Sequence, residues 1–250
     1  GMAIVLFTIL VRIVMSPVTY KSYLSQAKMK VLRPEITELN EKFKDNPMKK
    51  QQETMKLYSK AGVNPMAGCL PALMQMPIFY ALFQFFPSMF DLRQKSFLWA
   101  DDLSSYDSIY QLPFHIPFYG SHVSLFPILA SVAIFFYMKM TTGDQAMSAP
   151  PQEGMPDMGK IMKIMIYISP VMMLFFFNNY ASGLSLYYFI SNLITIGIML
   201  VIKNYIVKDD KIHAKIQENK TKEKKESKFQ KKMREMMEQA EEQKAQQKKK

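Results

Sequence analysis

"IMIYISPVMMLFFFNNYASGLSLYYFISNLITIGIMLVI", residues 164–202, runs for 39 residues without an Asp, Glu, Lys, Arg or His. As a single helix it would be ~58 Å long, about twice the ~30 Å hydrocarbon core of a bilayer. It must therefore fold back on itself. Near its middle stands the polar cluster Asn178-Asn179-Tyr180-Ala181-Ser182-Gly183, and Asn, Ser and Gly favour turns. Two membrane spans are expected, about 161–178 and 183–203, joined by a tight turn.

Three more apolar runs lie upstream, at about 2–19, 66–89 and 123–140, the second holding Pro71 and Pro77 and so expected to kink. The mean hydropathy of −0.06 would suit a soluble protein, but apolar and charged residues are segregated along the chain. The expected fold class is an all-α membrane protein with five transmembrane helices. Residues 21–60 form a charged insert in which Met29, Leu32, Ile36, Leu39 and Phe43 keep a helical spacing. "KDNP", residues 44–47, reads as a turn into a second helix carrying Met48, Met55 and Tyr58. A helical hairpin is expected over 21–60. The connector 91–122 is rich in aromatic residues and includes Trp99, a composition suited to the headgroup region. Thr141–Lys160 reads as a loop, and the basic tail, 206–250, as solvated with few apolar positions beyond Ile206, Ile212 and Ile216.

Charge sets the expected topology. Residues 21–60 carry ten Lys/Arg and residues 203–250 sixteen, whereas the connector carries Arg93 and Lys95 against four Asp. The positive-inside rule then places the hairpin and the C-terminus in the cytoplasm and the connector and N-terminus outside. The first apolar run starts at Met2 with no basic segment before it, so more chain is expected upstream. The single cysteine, Cys69, excludes an intrachain disulfide and reads as a small buried apolar residue. No HExxH, CxxC or GxxxxGK[ST] motif is present, so no metal, nucleotide or other cofactor is expected.

Arg12 is the most informative single residue. A charge within a span costs about 2.5–3.5 kcal/mol on insertion scales and usually faces a polar cavity. None of the five runs holds an acidic residue to neutralise it, which points to a hydrated cavity lined by the first span. Thr8 lies one helical turn away. A structural arginine, bonded to the backbone or extended to the interface, is the simpler alternative. Met74 and Met76 in the second run and Met172 and Met173 in the fourth lie among Phe79 and Phe176. Flexible methionines suit a surface that meets varied apolar partners, although packing against core or lipid would explain each one singly.

"ILVRIVMSPV" (9–18), "KMKVLRPEI" (28–36), "KAGVNPMAGCLPALMQMPIFYALF" (60–83), "DLRQKSFLW" (91–99) and "SGLSLYYFISNLITI" (182–196) resemble, in the same order, the YidC/Oxa1/Alb3 family of membrane-protein insertases. The resemblance implies five helices enclosing a hydrophilic groove, open to cytoplasm and lipid. It puts the groove arginine on Arg12 and lining residues on Thr8, Gln75, Tyr187 and Tyr188. Substrate-facing positions fall on Met76 and Phe79, and the apolar path extends over Met74, Met172, Met173 and Phe176. It also implies nascent membrane proteins as substrates, a Sec translocon as partner, a recruiting role for the hairpin, and a basic tail that docks on ribosomes. The tail's composition alone equally suits anionic lipid. Two rival classes are an anion transporter, against which stands the lack of an inverted repeat, and a structural partner within a larger translocase.

Overall fold

The computed structural model describes residues 1–44, 46–68, 70–146, 158–206 and 209–221. Cys69, most of the 141–160 loop and most of the basic tail lie outside them. Among the described residues, seven α-helices and one two-stranded sheet succeed one another: α1 (Met2–Lys42), α2 (Pro47–Ala61), α3 (Leu70–Ser88), β1 (Tyr110–Ile116), β2 (Gly120–Val123), α4 (Leu125–Ala146), α5 (Met158–Asn178), α6 (Ser182–Val201) and α7 (Asp209–Thr221).

The first span and the first arm of the hairpin are one helix of 41 residues, ~62 Å long. Proline normally ends or kinks a helix, yet α1 runs through Pro17 and Pro34. Its buried positions, Ile4, Thr8, Met15, Thr19, Ser22, Ser25, Met29, Leu32 and Ile36, stay in phase across both prolines, while Pro17 and Pro34 lie on the exposed side. Pro17 cannot donate to the Ile13 carbonyl, and the Ser16 hydroxyl donates to it instead at 2.8 Å. The Asn46 side chain caps α2 by accepting from the Lys49 N–H at 3.1 Å, with Pro47 in the first turn. Gly62, in the left-handed conformation, ends the helix.

Among the described residues, four helices are long and apolar enough to cross a membrane: α1, α4, α5 and α6. The run at 66–89 folds as α3, 19 residues long and so about 28 Å. It carries Gln75, Gln84 and three prolines and is not among those four. Pro71 sits in its first turn, where no N–H is required, and Pro77 lies inside it.

Two cores result. Within the bundle, Phe86 of α3, Phe126 of α4, Phe177 of α5 and Leu184 and Tyr187 of α6 pack with Leu103 of the connector. The second core joins Met29, Leu32 and Ile36 of α1 to Tyr58 and Ala61 of α2. It is completed by Ile212 and Ile216, so α7 packs on the hairpin where a solvated segment was expected. The Lys220 ammonium reinforces this by pairing with the Glu35 carboxylate at 2.5 and 2.7 Å.

The connector folds over the end of the bundle opposite the hairpin. The N–H groups of Ser182 and Gly183 donate to the carbonyls of Ser105 (2.7 Å) and Leu103 (3.0 Å), satisfying orphan donors of the first turn of α6. Asp107 Oδ2 accepts from the N–H groups of Leu125 (2.9 Å) and Phe126 (3.0 Å) and from Trp99 Nε1 (3.0 Å). A carboxylate is favourable at that helix N-terminus. Burial of Asp102 would raise its pKa, but hydrogen bonds from the Ser104 hydroxyl and N–H outweigh this and hold it below the usual range. The antiparallel β1–β2 hairpin has no counterpart in the helical expectation; its register shifts between Gln111 and Ile116.

Candidate functional site

Arg12 stands at the centre of a chain of polar contacts that links three helices. Its Nε donates to Ser191 Oγ of α6 at 2.5 Å, and its Nη2 to Gln75 Oε1 of α3 at 3.4 Å. Gln75 Nε2 in turn donates to the Tyr188 hydroxyl of α6 at 3.3 Å. The guanidinium is therefore held by neutral acceptors from two other helices. A hydrogen bond to a charged group is worth about 1.5–3 kcal/mol, so the short Ser191 contact alone offsets much of the insertion cost. Five donors meet two side-chain acceptors among the described residues. The remaining capacity is what the site can offer to another molecule.

Three nearby polar groups of these helices serve their own backbone. Thr8, with 0% of its surface exposed, donates to the Ile4 carbonyl at 2.6 Å. Asn192 Nδ2 and Thr195 Oγ1 donate to the carbonyls of Tyr188 and Ser191, both at 2.7 Å. Tyr187 is fully buried, and its hydroxyl has no hydrogen-bond partner among the described residues. Of the polar residues singled out in the sequence, Arg12, Gln75 and Tyr188 come together, while Thr8 and Tyr187 lie inside the packing. Ser191 was not singled out. Its signal is the polar spacing Tyr188, Ser191, Thr195 in a run otherwise rich in Ile and Leu.

An aromatic cluster adjoins the polar chain. The Phe79 ring lies 5.8 Å from Tyr188, 6.2 Å from Phe176 and 5.9 Å from Phe83. Phe83 stacks on Tyr180 at 4.4 Å. The rings of α3 thereby meet those of α5 beside the Gln75–Tyr188 contact. Around them Met76 and Met172 are 67% and 66% exposed, Met74 and Phe176 are also exposed, and Met173 packs against the bundle core. One turn along α1 from Arg12, a cleft of about 530 Å³ opens between α1 and α6, lined by Ser16, Pro17, Tyr20, Ile194, Gly197, Ile198, Val201 and Ile202. Its walls are almost wholly apolar.

The sequence profile of the 60Kd inner membrane protein family matches residues 1–211. The chain belongs to this family. Relatives called "Membrane protein insertase YidC" include one from Parabacteroides distasonis, 50% identical over 228 residues, covering 89% of this chain and 35% of the relative. A Bacteroides fragilis relative is 48% identical over 222 residues, covering 88% and 35%. One from Phocaeicola vulgatus is 51% identical over 205 residues, covering 81% and 32%. The chain thus spans about a third of the length of these relatives. Family membership and the apolar helices together identify a multi-pass protein of the bacterial inner membrane.

Proposed function

We propose that this chain forms the membrane-embedded part of an insertase that transfers apolar segments of newly made proteins into the bilayer, without nucleotide hydrolysis. The observation that carries this reading is the under-satisfied Arg12, held between α1, α3 and α6, in a bundle whose α3 and α5 expose Met76 and Met172. The relatives' name points the same way. In this reading α1, α3, α4, α5 and α6 all cross the membrane and enclose a hydrophilic groove. The hairpin and tail face the cytoplasm, with the connector and N-terminus outside.

The mechanism follows from electrostatics and burial. A cation in a low-dielectric setting attracts polar or acidic residues more strongly than it would in water. Arg12 draws the leading polar segment of a substrate part-way into the bilayer, with Gln75, Tyr188 and Ser191 holding the guanidinium in place. The apolar segment behind it moves along the Met and Phe side chains of α3 and α5 into lipid. Burial at ~25 cal/mol per Å² of apolar area supplies the driving force. The Sec translocon and the ribosome are the proposed larger partners, the ribosome through the basic tail.

Photocrosslinkers at Met76 and Met172, introduced one at a time, test the path during translation of a membrane-protein substrate. Both should form adducts with the nascent chain, and a crosslinker at buried Thr8 should not. Absence of adducts at both exposed positions, in protein that still folds, would overturn the reading. Anion uptake by the same vesicles would then favour transport.

A further inference from the structure

The β1–β2 hairpin belongs to no part of the proposed insertion path, and its build is unusual. Residues 108–123 carry no Asp, Glu, Lys or Arg. Tyr110, Leu112, Phe114, Ile116 and Phe118 alternate with polar residues and proline. Such alternation ordinarily marks a strand with one buried face. Here Tyr110 and Phe114 are exposed, and Phe118 is 90% exposed. A bulky residue in the left-handed region is uncommon, yet Phe118 has φ 66°.

The hairpin tip is nevertheless held firmly. Asn178, the last residue of α5, is fully buried. Its Nδ2 donates to the carbonyls of Tyr119 (2.8 Å) and His122 (2.9 Å), and its Oδ1 accepts from the Ser124 N–H (3.0 Å). Asn179 Nδ2 donates to the carbonyls of Phe118 (3.3 Å) and Tyr119 (2.8 Å). Gly120, at φ 107°, has no room for a side chain: a Cβ there would lie 2.8 Å from Asn179 Oδ1. The Tyr119 ring meets Phe175, within the last turn of α5, edge to face at 5.3 Å. The tip is thus fixed at the level where α5 ends, with Phe118 exposed.

We propose that this hairpin is an interfacial anchor, with Phe118, Phe114 and Tyr110 seated in the boundary between headgroups and acyl chains. Three observations favour lipid over a protein strand as the occupant. The segment is uncharged and aromatic, the composition that partitions to the membrane interface. Pro113 removes a backbone donor from β1 and Pro117 removes one just beyond its end, which disfavours an added strand. The Asn178 and Asn179 clamp sets the height of the tip against the end of a spanning helix. The anchor would hold the connector, which satisfies the first turns of α4 and α6, at a fixed depth.

The test is spin-label accessibility in vesicles of phosphatidylethanolamine and phosphatidylglycerol. The label is placed by Phe118→Cys in a Cys69→Ser background. Phe114→Cys serves as a second site in case the first does not fold, and Asp101→Cys is the water reference. The ratio of oxygen to water-soluble nickel-chelate collisions should be several-fold higher at the hairpin than at Asp101. Adding Asn179→Ala should lower the ratio at the Phe118 site toward the water value. Equality with Asp101, exclusion of both reagents as in a protein contact, or indifference to Asn179→Ala would overturn the proposal.

Discussion

Asn178 and Arg12 are both polar residues in surroundings built of Ile, Leu, Met and Phe, and the fold treats them in opposite ways. Asn178 has every hydrogen-bonding atom of its side chain occupied at 2.8 to 3.0 Å. Its carbonyl also accepts from His122 Nε2 at 2.8 Å and from the Ser124 hydroxyl at 3.2 Å. Arg12 is half-buried and has one short and one long contact, both to neutral groups. A fully satisfied polar residue rigidifies what it touches. A charge left with spare donors in a low dielectric remains available to a partner. The difference teaches where to look for construction and where for function.

The contrast is broken most easily at its rigid pole. Asn178→Leu removes these partners from the Ser124 N–H and the His122 carbonyl and leaves the Tyr119 carbonyl with Asn179 alone, at about 1–3 kcal/mol for each group that stays buried and unpaired. A stability loss of several kcal/mol is expected in thermal unfolding of the detergent-solubilised protein. Next in size is Asp107→Ala, which strips two N–H acceptor contacts from α4 and one from Trp99. About 2 kcal/mol is expected, the upper end for a lost cap. Ser191→Ala should cost less stability, because Arg12 can turn toward water or Gln75, but it should lower insertion of acidic-led substrates by loosening the guanidinium. Arg12→Gln should be near-neutral in the same unfolding assay, since it removes a charge that costs about as much as its contacts return. If Arg12→Gln were as destabilising as Asn178→Leu, the contrast would fail and Arg12 would be a structural residue.

Much of this architecture was legible in the sequence, for reasons that differ by region. The 39-residue uncharged run forced a turn at 178–183, and α5 ends and α6 begins there. The Asn46–Pro47 helix start was equally plain, because the capping chemistry is local. The continuity of α1 through Pro17 was harder to see. It depends on the buried stripe staying in phase beyond the proline, which no local rule reports. The β-hairpin alternates visibly at Tyr110–Phe118, but its prolines argue against a strand, and the contacts that hold it come from Asn178 and Asn179, far along the chain. Ile212 and Ile216 have helical spacing, yet the surrounding lysines read as solvent-exposed until Met29, Leu32 and Ile36 supply the other half of a core. At the site, Arg12 was conspicuous because charge is rare in a span. Ser191 was not, because a serine in a span commonly bonds its own helix.

The central claim is that Arg12 acts by its charge on the substrate. Its most direct test is the initial insertion rate of an acidic-led substrate into proteoliposomes holding the unmodified protein, Arg12→Lys or Arg12→Glu, with a neutral-led substrate in parallel. Arg12→Lys should keep partial activity and Arg12→Glu should lose acidic-led insertion, with a smaller effect on the neutral-led substrate. Equal rates for all three proteins on the acidic-led substrate would contradict it.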